Sequence, residues 1–570
     1  MTDTVLLDAG VVTRCRRRVH LENDPTMTDT PKAGPDTAAE QRMADAATHR
    51  ANVGRRLADL HQADWVEIAR DLPSSVRARA TLDAMEAEAS FIWGAQLPGD
   101  PDHGRRGGID LLVRADGRYL PVLVVRHKVS DPGSGVRTSP LETPTFAAAR
   151  PDPRRKARPQ ARDQLRLAHI HRLLQAVEAR LVGDRAEQDR PRSGRRRSVG
   201  SAAPGGRNRA VGGVIGMDAD VVVWHDLEAP NWPGGRTALD EYDRRFADRL
   251  AVAAAAAAGD EPLARPSRIL ECRSCPWWPV CEQALRADRD VSLVVRGEDA
   301  TAFRSIGVRT VDGLAALDPQ GRPPVPLMGA GFGDSVVLAR AWLRGLSMIR
   351  RVRDVRVPRA DVEVDVDMES FGDGGAYLWG ALLSGSDVGE PAGYRAFATW
   401  EPVPTSDEAR SFSEFWAWLR TIRMRAAARG LTFRAYCYNE LAENRWLLSS
   451  ASRFEGVAGV PAVAEVRAFI QSEEWVDLFA IVREQFLCAQ GRGLKTIAPE
   501  AGFSWRDPEA GGENSMRWYR DAVGLDGLPP DARQRDRLLR YNEDDVQATL
   551  TLRRWMTSTA MTQVPYAGDL

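Results

Sequence analysis

Residues 361–369 read Asp-Val-Glu-Val-Asp-Val-Asp-Met-Glu, with acidic and apolar side chains in strict alternation. Because successive side chains of a β-strand point to opposite faces, this stretch predicts a strand with one apolar face and one face of carboxylates. Five carboxylates on one face are costly unless they are solvated, protonated or neutralised by cations. The stretch is therefore either an exposed edge strand or part of a site for divalent metal ions.

The segments around this strand predict the rest of an α/β domain. Residues 377–383 and 394–400 have the pattern of two further strands. Thr405 and Glu408 form a capping box that predicts the start of a helix, and residues 431–438 predict a fourth strand. Helical patterns dominate from there on. Three strands, a helix, a fourth strand and a helical tail is the element order of a ribonuclease H-like fold.

Two later patterns can supply ligands to the same site. Asn439 follows the strand predicted at 431–438, and Glu443 lies four residues further on. Tyr541 and Asp545 are also four residues apart, so they share one face of a helix. Carboxylates from three separate elements can hold two Mg²⁺ or Mn²⁺ ions about 4 Å apart, and a nearby tyrosine hydroxyl can orient the attacking water.

These motifs resemble those of the DEDD exonuclease superfamily in its tyrosine-containing version. The residues that match its three motifs are Asp367 and Glu369, Asn439 and Glu443, and Tyr541 and Asp545. Glu443 stands where the family has Asp, and the first motif also fits loosely two residues earlier, at Asp365 and Asp367. The resemblance implies Mg²⁺- or Mn²⁺-dependent hydrolysis of phosphodiester bonds, usually 3′ to 5′. The four carboxylates would hold the metals, and Tyr541 would assist water.

The composition bounds the kind of protein. The chain has 570 residues, which suggests about three domains. Hydrophobic residues make up 43% and the net charge is −1, so a soluble protein is expected and a uniformly basic nucleic-acid coat is excluded. The apolar run at 251–258 is too short to span a bilayer, and the basic cluster within residues 14–18 follows the apolar run at 5–12, which is the wrong order for a secretory signal. We therefore expect a cytoplasmic protein without a membrane partner.

Three of the six cysteines cluster in the pattern C-x₂-C-x₅-C, and they are Cys272, Cys275 and Cys281. Structural disulfides are rare in large cytosolic proteins, so the cluster predicts a metal site, which needs a fourth ligand. Cys437 and Cys488 lie in apolar runs typical of a core, whereas Cys15 precedes three arginines and is the better candidate. Iron–sulfur and zinc both fit such a set, and with zinc His20 could replace one thiol.

The cysteine arrangement resembles the staple of RecB-like nucleases of the AddB type, in which a 4Fe–4S cluster ties the chain ends around a PD-(D/E)XK, restriction-endonuclease-like core. In that family an Asp after a Gly precedes a Glu/Asp-x-Lys motif and a helical Gln. Asp110, Lys128 and Gln164 match these positions, but Arg126 stands where the second acid belongs. Arg cannot ligate a metal. The resemblance therefore implies a domain that binds nucleic acid with its catalytic set broken, and an ordinary ion pair of Asp110 with Lys128 is the alternative.

A segment between the predicted domains and an insertion within the first domain complete the organisation. Residues 300–317 predict two apolar helices around Gly307, which resembles a helix-hairpin-helix whose backbone N–H groups bind phosphate, although a plain packing hairpin fits as well. The Arg-rich run at 184–210 predicts a disordered surface insertion. The predicted organisation is a RecB-like domain with the cysteine cluster at 1–285, a helical segment at 286–358, a ribonuclease H-like domain at 359–558 and a tail at 559–570.

Together these parts resemble the RecB-like nuclease family whose members carry a YprB-like C-terminal domain. The resemblance covers nearly the whole chain and implies an α/β multidomain, metal-dependent nuclease that acts on DNA or RNA. The first domain would bind nucleic acid, and the C-terminal domain would cut it as a 3′–5′ exonuclease. A helicase would act in trans, since the chain has no Walker lysine motif. The alternative is a catalytically inactive nucleic-acid-binding or scaffolding protein in DNA repair.

Overall fold

The computed structural model describes residues 4–35, 37–158, 160–188, 209–329, 331–525 and 527–570. The chain forms two compact units. The first comprises residues 1–266 and 270–284, and the second comprises residues 267–269 and 285–570. Among the described residues, no helix is long and apolar enough to cross a membrane.

The first unit is a mixed sheet flanked by helices. Its helices are α1 (Arg16–Asn23), α2 (Thr37–Leu60), α3 (Ser74–Glu86), α4 (Ala161–Gln188), α5 (Ala238–Ala258) and α6 (Trp278–Ala287), within which the boundary between the units falls. Its strands are β1 (Trp65–Glu67), β2 (Phe91–Trp93), β3 (Gln96–Asp100), β4 (Arg105–Gly108), β5 (Leu111–Ala115), β6 (Arg118–Val124), β7 (Ser130–Pro132), β8 (Arg137–Pro140), β9 (Arg150–Pro151), β10 (Arg155–Ala157), β11 (Val211–Ile215) and β12 (Val221–Asp226).

The main sheet of this unit has the order β1-β2-β5-β6-β11-β12-β8-β9, and β6 runs parallel to β11. Its central strands are continuous apolar runs because both faces of the sheet are covered. Leu112 and Val214 face the cluster that includes residues of α4 and α5, while Val113 and Val124 face the cluster with residues of α2.

One prediction for this unit needs correction. The helix α4 runs from Ala161 to Gln188, so residues 184–188 of the Arg-rich run, predicted to be disordered, are helical. After the run, β11 and β12 form a hairpin whose turn at 216–220 contains Ala219 with φ +49°. Residues 189–208, the rest of the predicted disordered insertion apart from its last two residues, lie outside the described residues.

The second unit contains a five-stranded sheet and more helices. Its helices are α7 (Glu298–Ser305), α8 (Val311–Ala315), α9 (Phe332–Leu343), α10 (Asp407–Ala428), α11 (Glu440–Arg453), α12 (Val463–Ile470), α13 (Leu478–Gln485), α14 (Leu494–Ile497), α15 (Gly512–Val523) and α16 (Ala532–Met556). Its strands are β13 (Met348–Arg350), β14 (Val362–Ser370), β15 (Ala376–Gly385), β16 (Gly393–Ala398), β17 (Phe433–Cys437), β18 (Trp475–Asp477) and β19 (Phe486–Cys488).

The acidic stretch forms β14, the central strand of the sheet. The strand order is β16-β15-β14-β17-β18, with β14 antiparallel to β15 and parallel to β17. The valines of β14 pack with residues of α10 and α11, and α16 contacts β14 and β15. An exposed edge strand is therefore excluded, and the carboxylates of β14 need partners inside the protein.

The segments at the two ends of this unit are also ordered. α7 and α8 flank a turn in which Gly307 has φ +86°, a conformation that favours glycine. That this segment binds phosphate stays a prediction. Residues 559–570 pack against β13, where the backbone N–H of Arg350 donates to the carbonyl of Pro565 at 2.8 Å. The predicted tail is thus attached to the unit that it follows.

Candidate metal centre

Three carboxylates converge where α16 crosses β14. Asp367 and Glu369 lie on the acidic face of the strand, and Asp545 lies on the helix. One carboxylate oxygen from each lies within 4.8 Å of the others. Oxygen-rich groups of this kind suit Mg²⁺ and Mn²⁺.

The electrostatics of the three groups favour a bound cation. Burial, and then the charge of Asp545, raises the pKa of Glu369 to about 8. The same two causes raise the pKa of Asp367 well above its ordinary range, and burial raises that of Asp545 although Lys495 opposes the rise. Buried carboxylates this close together cannot all ionise without a counter-charge. The residues present therefore fit a divalent metal ion.

A fourth carboxylate, Glu443 of α11, lies beside this group. Asn439 turns the chain into α11 with φ +75°, a region that Asn tolerates better than most residues, and its backbone N–H donates to Asp477 at 2.9 Å. Burial, together with the charges of Asp477 and Glu369, raises the pKa of Glu443 to about 8. Its Oε2 atom is buried and has no hydrogen-bond partner among the described residues. Glu443 also raises the pKa of Asp367, so it is close enough to share a cation with it.

The tyrosine of the third motif contacts a lysine that sequence reasoning missed. Lys495 of α14 donates to the hydroxyl of Tyr541 at 2.5 Å, and its Nζ lies 3.7 Å from Asp545 Oδ2. The ammonium also lies 4.4 Å from the ring centroid of Tyr541. One signal could have found it: the sequence uses Arg almost throughout, and Lys495 is the only lysine after residue 156.

Three neutral side chains fix the orientation of the carboxylates by hydrogen bonds. These run from Trp505 to Asp545 (2.7 Å), from Ser515 to Glu369 (3.0 Å) and from Asn542 to Asp367 (2.7 Å). Asn542 can enter only because Gly380 of β15 has no side chain: a Cβ there would lie 1.6 Å from Asn542 Oδ1. No local sequence pattern pointed to these partners.

The remaining acids of β14 have other partners. Arg553 of α16 is fully buried and forms ion pairs with Glu363 and with Asp365, the latter at 2.6 Å. Arg359 also pairs with Glu363 at 2.7 Å. Asp361, at the exposed end, accepts hydrogen bonds from Thr432. Because Asp365 is paired with Arg553, the structure favours Asp367 and Glu369 as the first motif over Asp365 and Asp367.

The first unit arranges its predicted site residues differently. Asp110 is buried, accepts from Arg70 at 2.9 Å and accepts from the backbone N–H of Val124 at 2.9 Å. No ion pair joins it to Lys128 among the described contacts, so the surface ion pair considered for these two residues does not form. Among the described residues, no group of three potential ligands like that in the second unit includes Asp110.

Two other residues near this predicted site also have protein partners. Arg126, at the position of the missing acid, pairs with Asp45 at 3.0 Å. Gln164 accepts a hydrogen bond from the indole of Trp232 at 3.0 Å. A shared role of Asp110, Lys128 and Gln164 stays a prediction.

The four cysteines predicted as metal ligands belong to the first unit. Burial, and then the charge of Cys15 and of the two other clustered cysteines, raises the pKa of the Cys281 thiol to about 12. This interaction places Cys15 near the cluster, although 257 residues separate it from Cys272. His20 instead lies 3.5 Å from Asp24. Among the described residues, no three of these thiols lie within 4.8 Å of one another, so a metal site at the cysteines stays a prediction.

A family model described as the RNase_H superfamily matches residues 453–557 of the chain. The match begins at the end of α11 and includes Lys495, Tyr541 and Asp545. No curated protein and no solved structure matches the chain significantly. Residues 453–557 are thus similar to the RNase_H superfamily, which indicates a nucleic-acid-processing hydrolase in general terms. The resemblance of the first unit to RecB-like nucleases gains no support from these comparisons.

Proposed function

We propose that the chain is a divalent-metal-dependent nuclease whose second unit hydrolyses phosphodiester bonds as a 3′–5′ exonuclease. The observation that carries the proposal is the convergence of Asp367, Glu369 and Asp545 within 4.8 Å, and the match of residues 453–557, which include Asp545, to the RNase_H superfamily supports it. Glu443, with its unpartnered buried oxygen, completes a set of four carboxylates. Two divalent cations would leave this set neutral overall and able to accept the charge of a phosphate.

The protein's own groups prepare the site for this reaction. Bound Mg²⁺ or Mn²⁺ would supply the charge that activates water and stabilises the leaving oxygen. Trp505, Ser515 and Asn542 hold the carboxylates in place. Burial, and then the surrounding carboxylates, raise the pKa of Tyr541 far above its ordinary value, so its hydroxyl keeps its proton. Tyr541 therefore acts as a hydrogen-bond donor that orients water or phosphate, and not as a base.

Lys495 has a supporting role in this proposal. Its ammonium donates to Tyr541 Oη, so one lone pair of that oxygen is occupied and the hydroxyl proton is directed elsewhere. Its charge also offsets part of the negative charge on Asp545. Lys495 is thus a positioning residue that acts through Tyr541 and the carboxylates.

For the first unit we propose nucleic-acid binding without catalysis. Both oxygens of Asp110 already accept hydrogen bonds, and Arg126 would repel a metal ion. We further propose that Cys15 and the three clustered cysteines hold a 4Fe–4S cluster with a structural role, zinc being the competing metal. A helicase partner and a role in DNA repair belong to the same proposal and rest on the family resemblance alone.

The experiment that tests the main proposal is a cleavage assay with the full chain, purified without oxygen. Single-stranded DNA and RNA labelled at the 5′ end are incubated with Mn²⁺, with and without EDTA. We expect a ladder of shortened products that EDTA and Asp545→Ala both abolish. The matched control is Asp361→Asn, which changes the exposed acid just before β14 and should leave cutting intact.

Two outcomes would contradict the proposal. If Asp545→Ala cuts as well as the parent, catalysis does not lie in the second unit. If the parent binds both substrates but yields no shortened products in Mn²⁺, and EDTA leaves its binding unchanged, the chain is a binding or scaffolding protein, which is the alternative function. The substrate that yields the ladder distinguishes DNA from RNA.

A further inference from the structure

A second concentration of charge lies in the first unit, at the carboxyl ends of the parallel strands β6 and β11. It consists of five arginines, which we call the arginine cluster: Arg50 of α2, Arg70, Arg126 after β6, and Arg162 and Arg166 of α4. The carboxyl ends of parallel strands are where α/β sheets bind ligands. This placement is independent of the carboxylate site in the second unit.

Electrostatic contacts connect the members of the cluster. Arg166 interacts with Arg162, with Arg50 and with Asp110, and Asp110 pairs with Arg70 at 2.9 Å. His49 connects Arg126 to the others, since it interacts with both Arg50 and Arg126. Its Nε2 atom lies 3.2 Å from the carbonyl oxygen of Gly216, just past β11.

The cluster has more positive charge than the nearby acids neutralise. The acids are Asp45, Asp110 and Asp163. Asp45 pairs with Arg126, Asp110 pairs with Arg70, and Asp163 pairs with His127 at 2.8 Å. Arg50, Arg162 and Arg166 form no ion pair and no hydrogen bond with the described residues. Like charges gathered in this way repel each other unless an anion joins them.

Arg166 gives the strongest indication of a ligand. Arg166 is half-buried, and burial lowers the pKa of its guanidinium. A guanidinium group that is removed from water costs free energy unless it finds a hydrogen-bond acceptor, so an acceptor from outside the chain is favoured. Guanidinium groups match the oxygens of a phosphate in geometry and charge.

We propose that the arginine cluster binds a backbone phosphate of the nucleic acid, at the place where a metal-dependent nuclease would hold its cation. The inference rests on the proposed function for the class of ligand. It explains why Arg126 replaces an acid and why Asp110 is held by Arg70: the site has exchanged cation binding for anion binding. The first unit then retains the polymer while the second unit cuts it.

The test measures binding by the full chain in EDTA, so that no cleavage occurs. Fluorescence anisotropy with a short labelled single-stranded DNA, and with the same sequence as RNA, is recorded at several salt concentrations. Arg166→Gln and Arg50→Gln remove charge from two separate elements. The matched control is Arg79→Gln, since Arg79 is an exposed arginine of the same unit that already pairs with Asp83.

We expect each cluster variant to weaken binding about tenfold and to reduce the slope of log K against log salt by about 0.7. The control should match the parent, and all variants should show the circular dichroism spectrum of the parent. If both cluster variants fold and bind with the parent's dissociation constant and salt slope, the inference is wrong.

The proposed nuclease activity can be tested separately from binding by the arginine cluster. Asp545→Ala should abolish cleavage without changing this binding. A parent that binds through the cluster but never cuts would contradict only the proposed nuclease activity.

Discussion

Removal of Arg553 should destabilise the second unit in a way that depends on pH. Arg553 has no exposed surface and lies between Glu363 and Asp365, which are 3% and 0% exposed. The neighbouring arginines hold the pKa of Glu363 at about 2 against the effect of burial. Burial raises the pKa of Asp365 to about 6 even with Arg553 present. In Arg553→Met, both carboxyl groups would remain buried and Asp365 would have no cation beside it.

The magnitude follows from protonation. Breaking a buried pair by removing one partner costs about 3–5 kcal/mol. A carboxyl group that must take up a proton to stay buried costs about 1.4 kcal/mol for each pH unit above its unfolded pKa, which lies near 4. Because the pKa of Asp365 is already about 6 in the parent, the variant adds about 1.4 kcal/mol of this cost at pH 7 and almost none at pH 5. We therefore expect a loss of about 3–5 kcal/mol at pH 7 that shrinks by about 1 kcal/mol at pH 5.

The two carboxyl groups have opposite signs in the parent. Because the folded pKa of Glu363 is depressed, its contribution to stability is present above pH 4.5 and is lost as the pH falls toward 2. Because the folded pKa of Asp365 is already raised, this group lowers the stability of the parent as the pH rises from about 4 to about 6. In the variant the pKa of Asp365 rises further, so its stability continues to fall above pH 6. Acid below pH 4.5 should therefore weaken the parent, whereas a change from pH 7 to pH 5 should partly rescue the variant.

The assay is urea unfolding followed by circular dichroism, at pH 5 and pH 7, with EDTA present. The matched control is Arg554→Met, which removes the next, exposed arginine of α16 and should change stability by less than about 0.5 kcal/mol. A variant that also carries Glu363→Gln and Asp365→Asn should recover most of the loss at pH 7. The reasoning is refuted if Arg553→Met loses as much stability at pH 5 as at pH 7.

Four further predictions concern the candidate sites. Gly380→Ala should lower the cleavage rate at least about tenfold because the new Cβ would displace Asn542. The control Gly512→Ala adds a Cβ that meets no neighbour within 4 Å and should leave the cleavage rate unchanged. Equal rates in the two variants would contradict the role of Asn542. Tyr541→Phe and Lys495→Met should each reduce kcat by about 10²-fold, and the double variant should be no slower than the slower single one; multiplied losses would show that Lys495 does not act through Tyr541. The pKa values of Glu369 and Glu443 are raised to about 8, so the metal-free protein should lose stability as the pH rises from 4.5 to 8. Mn²⁺ should therefore raise the melting temperature more at pH 8 than at pH 6. An equal shift at both pH values would mean that Mn²⁺ does not bind these groups. Protein purified without oxygen should contain iron and sulfide that Cys275→Ser loses, and stoichiometric zinc in their place would identify the competing metal.

The order of elements around the acidic strand could be predicted because it depends on local spacing. Alternation at 361–369 and the apolar segments at 377–383 and 394–400 each become strands of one sheet, with bounds within a few residues. The RNase_H superfamily match supports the ribonuclease H-like part of the prediction, while the roles of individual residues stay predictions.

The partners of the carboxylates could not be predicted, since they come from distant parts of the chain. Lys495, Trp505 and Ser515 lie more than a hundred residues from β14, on segments without a recognisable motif. In the first unit the sequence showed Arg126 as a defect in a metal site. It could not show that Arg50 and Arg166 lie near Arg126, because they belong to α2 and α4, which are far from it in the chain.

The sequence by itself determined that one strand carries five carboxylates, and that acids from two later segments stand at helical spacing. Only the tertiary structure decided which of the five serve a metal site. Asp545 and Arg553 are eight residues apart on α16, or about 12 Å along its axis, and Asp365 and Glu369 are about 13 Å apart along β14. The helix therefore places a carboxylate at one end of the strand and a guanidinium at the other. Whether an acid binds a cation or an arginine depends on this crossing, which no local pattern encodes.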